Sequence, residues 1–306
     1  MLNHNYTYES SLTDSLKVSW RVEDLIGGDK KLDFSKSFLP DALARVTEIR
    51  CLNAREKLLL NQIRGNSYLY LFGFVEEFIL PFVLDQTRAA VHGDPVEVRA
   101  LATFAEEEAK HIHLFHRFAE EFKRGFATPC SAIGPAKDVV PAILAHGALG
   151  VGLVILHLEW MTQRHYVESV KDNAAEGLDP QFASLLRHHW MEESQHAKLD
   201  TLLVDKLATA AGPEGIAKGF DDYAAIGGML DGALGAQVKL DLEALELAAG
   251  RSFTEAERAE IVAVQQRSYR WTFLASGMTH PNFVRTLGEL SPAGQARIAE
   301  MAKALS

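Results

Sequence analysis

The sequence predicts an all-α protein whose core is a four-helix bundle, preceded by an irregular arm and followed by further helices. Three observations predict it. Apolar residues recur at helical spacing over long segments that end in Gly, Pro and Asp turns. Alternating runs of β-branched residues are few, which removes the case for a sheet. Four long segments pair into two hairpins that carry acids at matching depth. The 306 residues, 47% of them hydrophobic, suffice for a large buried core. The expectation is one domain over 1–306, with an arm at 1–35, the core at 56–210 and helices at 214–306 packed on it.

Taken in order, residues 1–35 show little periodicity. Leu32-Asp33-Phe34 and Phe38-Leu39-Pro40-Asp41 lead into a helix over about 42–51, with Pro40 or Asp41 near its start. Residues 56–90 form a long helix with Leu59, Ile63, Tyr70, Phe74 and Phe78 among its apolar positions, and Pro81 kinks it or frees a carbonyl. Glu76 and Glu77 sit in its most apolar part. Adjacent helical residues point about 100° apart, so one acid faces in and the other out; the residues leave open which. His92-Gly93-Asp94-Pro95 is a turn. Residues 96–124 place Leu101, Phe104, Glu108, His111, Phe115 and Phe118 on one broad face. After a loop at 125–135, an apolar helix over 139–171 ends in charges. Residues 181–210 form the next helix, closed by Gly212-Pro213. Three more helices are expected at 219–247, 254–277 and 292–305, the second opened by Thr254 with Glu257 three residues on. Met278-Thr279-His280-Pro281 breaks the chain.

Composition narrows the function classes. A net charge of −10, with no basic run and no Gly-rich phosphate loop, argues against a nucleic-acid partner. Cys51 and Cys130 are isolated thiols, which suits a reducing cytoplasm. Residues 1–20 are polar, so no secretory signal is expected. Residues 139–158 are apolar enough to suggest a membrane span. They carry Pro141, His146 and His157 and run into Glu159, so the expectation is the central helix of a large bundle and no membrane. No other segment is expected to match that apolar length.

The chemistry lies in the acids and imidazoles. His189, Glu193 and His196 stand at i, i+4 and i+7, one stripe of a helix. Two imidazoles and a carboxylate are ligands for first-row transition metals. Glu108 and His111 form a second pair at i, i+3. With 25 Glu and 12 His in the chain, Glu-x-x-His arises by chance about once, so the weight must come from depth. Glu77 is 13 residues before Ala90, and Glu108 is 13 after Pro95. Glu159 is 13 before Asp172, and Glu193 is 13 after Pro180. Each carboxylate therefore lies about 20 Å from its turn. The duplicated order, a helix with Glu and then a helix with Glu-x-x-His, is the arrangement of ferritin-like dinuclear carboxylate sites. Placing these groups on solvated faces instead would strand Glu77 and Glu159 in apolar helix centres. Four carboxylates neutralise two Fe(II), and a bridging dianion cancels the charge added on oxidation. Zinc prefers four ligands and fewer carboxylates.

The pattern Glu, Glu-x-x-His, Glu, His-x-x-x-Glu-x-x-His resembles the diiron arylamine N-oxygenases, the p-aminobenzoate N-oxygenase family. The approach Leu32-Asp33-Phe34…Phe38-Leu39-Pro40 and the stretch Gly277-Met278-Thr279-His280-Pro281-Asn282-Phe283 are similar as well, so the resemblance spans about 30–290. It implies metal ligation by Glu77 (or Glu76), Glu108, His111, Glu159, His189, Glu193 and His196, with Glu108 and Glu193 as bridges and His189 as the imidazole that ordinary ferritins lack. It implies two Fe ions, O2 as co-substrate, a small apolar or aromatic amine as substrate, an external electron donor and a homodimer. Asp200, one turn past His196, is placed either to orient that imidazole or to be solvated. Other functions stay open: a diiron desaturase or hydroxylase, a non-enzymatic iron-binding protein, or a haem-oxygenase-like diiron oxidase. The last would use Glu106 and His113 and leave Glu77 idle; His111, not His113, is the expected ligand.

Overall fold

A computed structural model describes residues 2–305, and among them there is no strand, only an isolated bridge between Gly27 and Lys30. Four long helices form the core: α3 (Ala54–Ala90), α4 (Pro95–Gly125), α6 (Ala148–His165) and α7 (Pro180–Ala249). The numbering counts the shorter α1 (Tyr8–Ser15), α2 (Asp41–Ala44) and α5 (Ala136–Leu144) among them. The starts of three core helices are set by side chains that satisfy free N–H groups. Asn53 and Glu56 cap each other reciprocally at α3, Asp94 accepts from the Val96 N–H at α4, and Asp179 accepts from the Phe182 N–H at α7. Helix α3 packs along α4, and α6 along α7, as two hairpins. Phe72, Phe78, Phe104, Phe115, Phe118 and Phe182 are fully buried between them. Fold class is therefore as the sequence predicts: an all-α, ferritin-like bundle.

Several elements differ from expectation. The arm is not irregular throughout: α1, opened by a Thr7–Ser10 capping box, lies on α4 and α7 and buries Leu12. The helix expected over 42–51 stops at Ala44, because Arg45 adopts a left-handed conformation (φ 50°), and a 3-10 turn follows at Val46–Glu48. The helix expected over 139–171 is two helices, α5 and α6. Asp222 of α7 stabilises the break between them by accepting the Gly147 N–H (3.0 Å) and facing His146 Nδ1 (3.1 Å). Among the described residues, the helix long and apolar enough to cross a membrane is α3, not this segment; 67% of its apolar window is buried inside the protein. In α7, Gly212 turns to φ 66°, ψ −175° ahead of Pro213, so the expected stop is a kink between two stacked helices.

Beyond α7 lie α8 (Glu255–Arg270), a π-helical turn (Trp271–Ala275), α9 (Ser276–Met278), α10 (Pro281–Leu290) and α11 (Pro292–Ala304). Helix α10 was not expected. Pro281 occupies its first position, where the missing N–H costs nothing, and the His280 side chain accepts from the Asn282 N–H (3.3 Å). Helices α9 and α10 pack on α6, and α11 packs on α7.

Candidate metal centre

Each core helix brings an acid to the middle of the bundle: Glu76 from α3, Glu108 from α4, Glu159 from α6 and Glu193 from α7. All are buried, as are His111, His189 and His196. His189 Nε2 lies 3.1 Å from Glu76 Oε1 and 2.6 Å from Glu193 Oε1. His111 Nδ1 is 3.0 Å from Glu193 Oε1, and His196 Nδ1 is 2.8 Å from Glu108 Oε1 and 3.2 Å from Glu193 Oε2. Two overlapping groups result, Glu76–His111–His189–Glu193 and Glu108–His111–Glu193–His196, each with its donor atoms within 4.8 Å of one another. Glu193 and His111 belong to both. Of the two acids expected as bridges, Glu193 is shared and Glu108 belongs to one group only. Glu159 lies outside these groups but within electrostatic reach of Glu193, Glu108 and His196.

The structure decides between the adjacent acids of α3. Glu76 joins the cluster; Glu77 does not. One helical step turns Glu77 outward, where it is half-exposed and pairs with His116 Nε2 at 3.4 Å. On α4, His111 is buried in the cluster, whereas Glu106 and His113 are exposed, which removes the pair that the haem-oxygenase-like alternative needs. Asp200 is neither solvated nor the partner of His196: it is fully buried, and neither oxygen makes a hydrogen bond.

The residue that orients His196 is Glu107, whose Oε2 lies 2.9 Å from His196 Nε2. Glu192 does the same for His111, at 2.9 Å from its Nε2, and also takes Lys110 Nζ at 2.5 Å. A carboxylate only accepts, so each Nε2 donates and each Nδ1 is the atom left facing the cluster. The arrangement is crossed: the acid beside each helix's inward Glu holds the opposite helix's imidazole. Sequence reasoning passed over both residues, although the repeated Glu-Glu-x-x-His at 107–111 and 192–196 was their signal. It also missed Trp20, which stacks on His111 at 6.1 Å between ring centroids and lies under Lys110 at 4.4 Å.

Electrostatics tie the cluster together. Burial, then the neighbouring Glu76, holds the Glu108 carboxyl well above its usual range; burial and Glu193 do the same to Glu159. Burial opposes charge on the imidazoles too, but the carboxylates outweigh it. Glu193 and Glu108 raise His196 well above 6.5, and Glu193 and Glu76 raise His189 to about 9. Glu193 is pushed low against its burial by His189 and His196.

The donor set fits a metal pair. Both oxygens of Glu108, Glu76 Oε2, Glu159 Oε2, Glu193 Oε1 and His111 Nδ1 are buried without a hydrogen bond. Several nonetheless lie within about 3 Å of one another, as expected when lone pairs converge on a common point rather than on each other. Oxygen donors in excess of nitrogen, without sulfur, suit iron or manganese. Phe104 covers His196 at 4.1 Å, while Phe72 and Phe115 stand edge-on to His189 at 5.4 and 4.9 Å, so rings shield the site from bulk solvent.

No protein-family model and no curated protein matches the chain. Solved structures similar to it include R2-like ligand-binding oxidases. One variant with an anaerobically reconstituted Mn/Fe cofactor is 13% identical, with 87% of this chain and 94% of that chain covered and a TM-score of 0.48. Another, reconstituted aerobically, is 13% identical over 87% and 94%, at 0.47. A third is 15% identical over 88% and 94%, at 0.46. The likeness is loose, and the case for a metal centre rests on this chain's own side chains.

Proposed function

We propose that the protein is a non-haem dinuclear-iron oxygenase that uses O2, with electrons from an external donor, to oxidise a small apolar or aromatic amine by N-oxygenation. One observation carries this reading: two four-residue groups of carboxylate and imidazole, sharing Glu193 and His111, buried in a four-helix core. The iron pair would be held by Glu76, Glu108, His111, Glu159, His189, Glu193 and His196, and when bound it supplies O2 binding and electrons. The chain's residues supply the rest. Glu107 and Glu192 fix the ring orientation and tautomer of His196 and His111. His189 adds a neutral donor without adding charge. The phenylalanines around the site exclude water and so strengthen the interactions inside.

An apolar cavity lies one side-chain layer away. Leu71, Val75, Leu158, Leu230, Leu234 and Phe273 line it, and no polar side chain does. Val75 and Leu158 adjoin Glu76 and Glu159 in sequence, and Phe72 stands between Phe273 and His189, with centroids at 5.6 and 5.4 Å. A second reading draws on this same cavity. It offers no hydrogen-bonding side chain to an amine, which favours hydroxylation or desaturation of a C–H bond.

The test is to load the protein anaerobically with Fe(II), admit O2 with aniline or p-aminobenzoate, and follow O2 uptake and products. Hydroxylamine, nitroso or nitro products support N-oxygenation. Ring or chain hydroxylation of other apolar probes, without nitrogen oxidation, supports the second reading. Failure to bind about two irons per chain rules out both.

A further inference from the structure

The apolar cavity beside the cluster is too small to hold an organic substrate as it stands. It holds about 20 Å³, room for about one water and far less than an aromatic ring needs. A second pocket beside it, open to the surface, holds about 580 Å³, within the usual range for small-molecule sites. The two share two lining residues, Phe74 and Ile133. Phe115, whose ring touches His189, also lines the outer pocket, so that pocket too comes within one ring of the cluster.

One half of the wall, Phe74, stands on α3; the other half is held by side-chain hydrogen bonds. Ile133 lies between α4 and α5, outside any helix. Its N–H donates to Gln237 Oε1 (2.9 Å), and Gln237 Nε2 donates to Ser131 O (3.0 Å). Gln237 is anchored in turn to buried Asp241 (2.8 Å), which also accepts from Ser67 (2.6 Å) and Tyr269 (2.5 Å). Releasing two bonds to one glutamine therefore removes the side-chain hydrogen bonds that tie this loop to α7 without unwinding an element.

We propose that the outer pocket is the substrate's way in, that Phe74 and Ile133 form a removable wall, and that the working site is the chamber made when the pockets merge. Gln237 is then a positioning residue that keeps the wall closed. The occupant is an uncharged, ring-bearing molecule: its apolar body replaces the wall, and its polar end stays outside near Glu77, His116 and Lys137. This rests on reading the buried cluster as an oxygenase centre.

The experiment uses the full-length, metal-free protein and 4-fluoroaniline as probe, with binding and exchange followed by fluorine NMR. Ile133→Trp, which plugs the passage, weakens binding about tenfold or more. Ile133→Ala and Gln237→Leu speed exchange severalfold, and Gln237→Leu also lowers hydrogen-exchange protection of the Ile133 amide. Ala299→Trp, in a separate groove lined by Met278, Val284 and Leu287, changes nothing. The proposal is overturned if the unmodified protein does not bind the probe, if Ile133→Trp binds like the unmodified protein, or if only Ala299→Trp displaces the probe. Iron content is measured separately. If iron is absent but the Ile133 variants behave as stated, the oxygenase reading fails and the passage stands; if iron binds but Ile133 is indifferent, the passage alone fails.

Discussion

Glu76 and Glu77 are the same amino acid one peptide apart, and the helix gives them opposite surroundings. One oxygen of Glu76 meets a buried imidazole, whereas Glu77 pairs with exposed His116. Glu76→Gln should therefore lower bound iron from about two toward one per chain, while Glu77→Gln leaves it unchanged; metal analysis of the purified variants decides. Glu107 and Glu192 touch no metal in this reading, yet each holds the far nitrogen of an inward-facing imidazole. Replacing either with Gln keeps the shape but removes the charge that fixes the tautomer. Metal affinity should fall about 10–100-fold in each, measured by competitive Co(II) titration. The double variant should lose less than the product of the two if the crossed pairs act as one unit.

At the scale of elements, the position of α9 depends on one glycine. A Cβ on Gly277 would lie 1.9 Å from His157 Cδ2 and 2.7 Å from the His157 backbone oxygen. Gly277→Ala should therefore destabilise the protein by about 2–3 kcal/mol, seen as a melting temperature lower by several degrees. Backbone contact rather than a movable side-chain tip makes that clash costly. The long helices were legible in the sequence because their signals are local: apolar periodicity runs between turns such as His92-Gly93-Asp94-Pro95, and the caps Asn53, Asp94 and Asp179 reinforce it in the structure. Depth counting brought Glu108, Glu159 and Glu193 to one level for the same reason, since helical rise is uniform. What escaped depends on partners distant in sequence. Asp222 on α7 breaks 139–171 in two, and α1 is buried only because α4 and α7 lie beneath it. Inward or outward orientation of Glu76 against Glu77 turns on one residue of phase, finer than a broadly apolar helix specifies.

For the whole molecule, the cluster is a store of like charge that protons or metal must balance. Without metal, His189 carries a proton up to about pH 9, because Glu193 and Glu76 outweigh the effect of its burial. Its folded pKa lies above the unfolded value of 6.5, so the stability it contributes is complete below about 6.5 and is lost as pH rises through about 9. That span of about 2.5 units corresponds to on the order of 3 kcal/mol. Glu108 and Glu159, also raised, act in the same direction, each favouring its protonated form. Metal occupies the position these protons hold, so binding must expel them, and the competition weakens as pH rises. The metal-free protein should melt at steadily lower temperature from pH 6.5 to 9, while saturation with Co(II) or Mn(II) adds a stabilisation that grows over the same window. Calorimetric titration in buffers of different ionisation enthalpy should register net proton release at pH 7. A gap between metal-free and loaded melting temperatures that stays constant from pH 6.5 to 9 would mean that metal displaces no proton from His189 in this window, which overturns the linkage.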